Sequence, residues 1–174
     1  MAGTGPDAAS IAPGPVASGP EAGAPPVLPP PRTTPDAFGG APPFVSKVGS
    51  SPHNPGQSCM KSGCHGPGGG ETPFLIGGTV YKDYKGTIPA PGVEIRVLDA
   101  KGNAMSVYSG SNGNFYIHTS ATLTPPFIVG ARDGTTTRPM VTTITGTMGT
   151  CAASGCHVVG GSPMTAAYYP IHVP

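Results

Sequence analysis

All four cysteines of this chain fall in two copies of one pattern, each with a histidine attached. The first reads Cys59-Met60-Lys61-Ser62-Gly63-Cys64-His65, and the second Cys151-Ala152-Ala153-Ser154-Gly155-Cys156-His157. Both are C-x-x-x-x-C-H, and both place Ser-Gly before the second cysteine. Two thiols and an imidazole at fixed spacing can do three kinds of chemistry. The thiols can oxidise to short disulfides, 59–64 and 151–156, which suit an exported protein but leave His65 and His157 unexplained. Thiolates and imidazoles can bind zinc, although neighbouring Cys and His side chains point in divergent directions. Finally, C-x-x-C-H is the attachment signature of c-type haem. There two thiols add across the haem vinyl groups, and the adjacent imidazole reaches the iron. That chemistry accounts for the order of the motif, and its duplication favours the haem reading over the other two.

The spacer is two residues longer than in the usual signature. In this it resembles the variant found in multihaem cytochromes of sulfate- and metal-reducing bacteria. The resemblance implies two covalently bound haem c groups, attached through Cys59, Cys64, Cys151 and Cys156. His65 and His157 would be the proximal iron ligands. Three histidines remain for two distal positions: His53, His118 and His172. His172 lies in the short extended tail Tyr168-Tyr169-Pro170-Ile171-His172-Val173-Pro174, where ligation is the main reason to expect a histidine. His53, in Ser51-Pro52-His53-Asn54-Pro55-Gly56, sits just upstream of the first motif, where multihaem cytochromes often carry a ligand for a neighbouring haem. His118 ends an expected strand whose inward residues are Phe115 and Ile117, so it should face outward beside Tyr116. Each can also be a plain surface histidine. Met60, Met148 and Met164 are rival ligands that would raise the potential, although methionine is equally a filler of gaps. Histidine on both faces of the iron leaves no open site for a substrate, so an electron carrier is expected rather than an enzyme.

Between the motifs, roughly over residues 74–146, short apolar runs alternate with a period of two. They are Thr79-Val80-Tyr81, Val93-Glu94-Ile95-Arg96-Val97, Val107-Tyr108, Phe115-Tyr116-Ile117-His118, Phe127-Ile128-Val129 and a run over residues 140–144. Turn signals separate them, among them Pro89-Ala90-Pro91-Gly92, Lys101-Gly102-Asn103, Ser111-Asn112-Gly113-Asn114 and Asp133-Gly134. This pattern predicts a mainly β fold, a small antiparallel sandwich with little helix. The segments GGTVY (77–81), PAPGVEIRVLDAKGN (89–103) and NGNFYI (112–117) resemble the carboxypeptidase regulatory-like family of Ig-like, prealbumin-type sandwiches. That likeness implies a fold, usually a spacer or adhesion module, and says little about function.

Four zones result: an extended arm over 1–44, a first haem segment over 45–73, the Ig-like sandwich over 74–146 and a second haem segment over 147–174. The arm holds 12 of the 24 prolines and too little apolar surface to offset the entropy of ordering by itself. As polyproline II it would extend roughly 3.1 Å per residue, farther than one small domain is wide. A neighbouring copy of the chain is a natural surface for it. With 28 Gly, 24 Pro and 6% aromatic residues, the chain cannot build a large ordinary core. Two apolar haem plates would supply packing surface that the composition lacks.

Net charge is +1 with no basic run, so nucleic acid is not an expected partner. No apolar stretch is long enough for a transmembrane segment. The opening MAGTGPDAAS does not read as a signal peptide, so an exported protein would be represented here by its mature or trimmed form. The expected location is extracellular or at the cell surface, alternatively periplasmic. Two haems in one chain make only a short wire, and by architecture the chain resembles subunits of extracellular cytochrome nanowires. Copies of itself, redox partner proteins or extracellular electron acceptors are therefore the expected partners. The alternatives are a monomeric or tethered electron shuttle, or a surface adhesin whose cysteines are simple staples.

Overall fold

Apolar residues two apart in sequence turn one face of each strand into a shared interior, and the chain folds around that interior. The computed structural model describes residues 36–50, 53–66, 68–134, 136–140, 142–145, 149–152, 156–157 and 171–173. Eight strands occur in it: β1 (Phe74–Tyr81), β2 (Glu94–Leu98), β3 (Ala104–Tyr108), β4 (Asn114–His118), β5 (Ile128–Asp133), β6 (Thr136–Pro139), β7 (Gly149–Thr150) and β8 (Ile171–His172). No helix occurs among the described residues, and so none there is long and apolar enough to cross a membrane. The mainly β expectation holds.

The strands form two four-stranded sheets. One has the order β4-β1-β7, with β8 also pairing to β1, and the other has the order β3-β2-β5-β6. Pairing is antiparallel throughout the second sheet, whereas β7 and β8 run parallel to β1. The inner faces meet in one core that includes Ile76, Val80, Ile95, Val97, Phe115, Ile117, Phe127 and Val129. Phe115 and Ile117 point inward as their alternation predicts, with Tyr116 and His118 on the other face of β4. A β-bulge in β1 between Phe74 and Ile76 puts Phe74 on the outer face with them.

The last part of the chain differs from expectation. The run over 140–144 is not the sixth strand. Asp133 and Gly134, the latter at φ 54°, fold the chain straight back onto β5, so pairing starts at Thr136. Beyond Pro139, which has no N–H to offer, the chain keeps contact through Met140 N–H to the Val129 carbonyl and the Phe127–Ile144 bridge. Val141 lies outside the described residues.

Residues 36–44, the end of the Pro-rich arm, pack on the outer face of the second sheet. Ala37 is buried there, and its carbonyl accepts from Arg96 Nε at 2.9 Å. Arg132 donates to the Pro42 carbonyl at 3.0 Å, lies over the Phe38 ring at 4.7 Å and pairs with the buried carboxylate of Glu94. Residues 1–35 of the arm lie outside the described residues.

One turn of the sandwich carries a pH signature. Asp99 accepts hydrogen bonds from the N–H groups of Lys101, Asn103 and Thr124 and from Asn103 Nδ2, all between 2.8 and 3.1 Å. Desolvation alone would raise its pKa, but these donors outweigh it and hold the carboxyl down at about 2. The folded value lies below the ordinary carboxylate value of about 3.9, so this contribution to stability is present above about pH 4 and is lost as pH falls through about 2. Melting temperatures measured between about pH 4 and 2 should fall more steeply for the native chain than for Asp99→Asn. Equal slopes would contradict this role.

Candidate functional site

The first motif lies on the outer face of the first sheet, whereas Cys151 of the second motif is turned into the core with Phe115. Phe74, Thr79, Tyr81 and Asn114 are all less than a tenth exposed although they face away from the sandwich core. The first motif segment covers much of that face. Thr79 donates to Asn114 Oδ1 at 2.6 Å and accepts from Gly56 N–H at 2.8 Å. Asn114 Nδ2 donates in turn to the His53 carbonyl at 3.0 Å. Polar side chains buried on this face are thus satisfied by the backbone of the segment that covers them.

Within the first motif the chain closes into a loop. Cys64 N–H donates to the Lys61 carbonyl at 2.9 Å, and His65 N–H donates to the Cys59 carbonyl at 3.1 Å. Gly63, at φ 81°, takes the left-handed conformation this loop needs, which only glycine adopts at little cost. The second motif closes in the same way: His157 N–H donates to the Cys151 carbonyl at 2.9 Å. Gly155 lies outside the described residues. The two motifs thus share one closing hydrogen bond, from each histidine N–H to the carbonyl of the first cysteine of its own motif.

The His65 ring is fixed from two sides. It stacks on Phe74 with centroids 3.7 Å apart and planes 10° apart, and Phe74 stacks in turn on Tyr116 at 4.7 Å. Its Nδ1 lies 2.9 Å from the Thr72 carbonyl. A carbonyl can only accept, so Nδ1 carries the proton and Nε2 is the nitrogen with a lone pair to give. Such a second hydrogen bond is what orients a metal-ligating histidine. The His53 ring stands 6.1 Å from that of His65, with 35° between the planes. An imidazole–metal bond is about 2.0–2.1 Å, so two imidazoles on opposite sides of one ion have ring centres roughly 6 Å apart.

The second motif is placed by β7, where Gly149 lies opposite Ile76 and Thr150 opposite Gly77. Cys151 N–H then donates to the Gly77 carbonyl at 2.8 Å. Pairing of β8 sets His172 opposite Tyr81, and buried Val173 anchors that end in the core. Tyr81 and Ile171 share the wall of a small cavity with Cys151 and His157, so His157 and His172 belong to one neighbourhood. His118 is placed differently. Its ring meets Phe74 and Tyr116 edge-on at 5.4 and 5.0 Å, its Nδ1 is buried without a hydrogen-bond partner, and it faces a cleft of about 720 Å³ between β3 and β4 that none of the cysteines lines. Met60 packs over Gly149. Met148 and Met164 lie outside the described residues.

All four cysteines are free thiols. Burial, with a smaller contribution from Cys64, raises the pKa of Cys59. Burial, with Cys59 and Cys156 adding to it, pushes Cys151 up to about 12. No three His, Cys, Asp or Glu side chains among the described residues form a group that could hold a metal ion. A thioether is neutral, so the same burial suits it. The uncharged form favoured at Cys59 and Cys151 is compatible with a thioether, and equally with a disulfide or the free thiol.

Gly77 and Gly78 were not visible as site residues in the motif itself. A Cβ on Gly77 would stand 3.2 Å from Cys59 Sγ, and one on Gly78 would stand 3.0 Å from Cys151 Cβ. Two glycines inside a strand cost roughly 0.5–1 kcal/mol each relative to alanine, and close approach of another segment is the usual reason for them. The signal was a Gly-Gly pair in an otherwise apolar run. Thr72 and Phe74 gave no such signal.

No protein-family model, no curated protein and no solved structure matches this chain.

Proposed function

We propose that this chain is a dihaem c-type electron carrier. Cys59 and Cys64 hold one haem c with His65 as its proximal ligand, and Cys151 and Cys156 hold the other with His157. The observation that carries this reading is that in both motifs the histidine N–H donates to the carbonyl of the first cysteine, with His65 Nδ1 set on the Thr72 carbonyl. When bound, the group supplies one-electron chemistry through ferric and ferrous iron. The protein's part is to hold it. His53 and His172 would be the remaining iron ligands of the first and second group. Thr72 and Phe74 fix the proximal ring, and the sandwich keeps both motifs on a rigid support. With imidazole on both faces no site for substrate remains, which favours electron transfer over catalysis.

The same reading extends to assembly: copies of the chain would join into an extracellular conductive filament, with a tethered or periplasmic shuttle as the alternative. Support for association comes from Val45 and Val48, both more than half exposed, the latter lining the cleft between β3 and β4. The chemical claim is tested by a pyridine haemochrome assay on protein made in a host that attaches haem c. Two haems per chain are expected. No haem would overturn the proposal whatever the fold.

A further inference from the structure

We infer that the open edge of β3 is a docking site for an extended, acidic segment of a partner protein, which joins the second sheet as a further strand. β3 ends its sheet, since the order is β3-β2-β5-β6. Hydrogen bonds at the two ends of its pairing with β2 set the phase. Ser109 N–H donates to the Val93 carbonyl at 2.9 Å, and Asp99 N–H donates to the Asn103 carbonyl at 2.8 Å. In an antiparallel pair alternate residues bond to the neighbour. Met105 and Val107 therefore face β2, and Ala104, Ser106 and Tyr108 turn their N–H and C=O groups outward. A bare edge of this kind is a template for another chain. The far edge of the same sheet is blunted, because β6 carries Arg138 and Pro139. By contrast, Ala104-Met105-Ser106-Val107-Tyr108 has neither charge nor proline.

The space beside β3 fits a strand. A cleft of about 720 Å³ separates it from β4, and Met105, Val107 and Ala121 lie partly buried along it. These side chains pack against the core without being fully covered, and every second residue of an added strand would rest on them. None of the four cysteines lines the cleft, so the site stands apart from the haem reading. β4 is the less open wall, because the carbonyls of Asn114 and His118 already accept from Gly110 and Ala121 N–H at 2.8 and 3.1 Å. Charge sets the character of the guest. Lys47 stands at the mouth, 5.7 Å from the centre of the Tyr108 ring, and has no ion-pair partner among the described residues. Neither Asp nor Glu is among the described residues that line the cleft. Gly49 N–H donates to the Ser109 carbonyl at 3.0 Å, so the crossing of residues 47–50 closes this end of the edge. A guest residue opposite Tyr108 shares a face with Lys47 and should be acidic, while those opposite Val107 and Met105 should be apolar. A second copy pairing its own β3 about Ser106 would put Ala104 opposite Tyr108 and leave Lys47 without a counter-charge.

Fluorescence anisotropy of a short labelled peptide tests this. Valine and threonine alternate in the peptide, with a glutamate at each end so that either chain direction sets one beside Lys47. The native chain should bind it saturably. Ala104→Pro removes an outward N–H at an exposed edge position, where a sheet tolerates proline, and should abolish binding. Lys47→Glu should weaken binding roughly tenfold, as should lysine in place of both glutamates. No binding by the native chain at millimolar peptide would overturn the inference, as would equal binding by the native chain and both variants. Self-association of the native chain that Ala104→Pro relieves, with no peptide bound, would assign the edge to a second copy and overturn it too. If Ala104→Pro does not fold, Lys47→Glu and the lysine-ended peptide decide alone.

Discussion

A chain carrying Cys151→Ala and Cys156→Ala together should hold one haem instead of two while its β-sandwich remains folded. Cys151 is part of the core, so truncating it has a cost comparable to one or two buried methylenes, roughly 1–2 kcal/mol. A domain stability of about 5–15 kcal/mol tolerates that. The rest of the core is supplied mainly by β1, β2, β4 and β5, through side chains such as Ile76, Ile95, Phe115 and Val129. Far-ultraviolet circular dichroism should therefore be close to that of the native sandwich, and the haem-to-protein ratio should halve. An unchanged ratio would mean that the second motif does not attach haem. Loss of all haem with an intact sandwich would mean that the motifs do not load independently.

His53→Ala should convert one of the two haems from six-coordinate low-spin to five-coordinate high-spin iron and leave the haem count at two. The reason is the 6.1 Å spacing of the His53 and His65 rings, which matches what two imidazoles on one iron require, combined with the Nδ1 bond that leaves Nε2 of His65 available. His118→Ala should leave the spin state unchanged, since its ring contacts Phe74 and Tyr116 rather than another imidazole. Absorption and electron paramagnetic resonance spectra report both. A spin change in His118→Ala with none in His53→Ala would reverse the assignment.

The sandwich was largely legible because its strands bury one face. Val93, Ile95 and Val97 alternate with Glu94 and Arg96, and Phe115 and Ile117 alternate with Tyr116 and His118; these residues lie where a period of two puts them. The β5–β6 hairpin was misjudged because the tight return at Gly134 sets its register, and a periodicity count over 140–144 does not see a turn. The two motifs were legible as chemistry but not as neighbours. The strands that bring them together, β7 and β8, are two residues long each, too short to show any period, and their parallel pairing with β1 is a long-range event. Likewise nothing in the string around Phe74 shows that a bulge will turn its ring outward onto His65. The packing of 36–44 on the sandwich was hidden for a related reason: a Pro-rich composition describes a chain without a core of its own, and here Arg96, Glu94 and Arg132 on the second sheet supply the partners.

Covalent attachment is the claim on which the ligand pairing depends, and the intact mass of the denatured, purified chain tests it most directly. The expected result is the 17.2 kDa polypeptide plus two haems, retained through denaturation because thioether bonds hold them. A mass equal to the polypeptide alone, or lighter only by the hydrogens of two disulfides, would contradict the account.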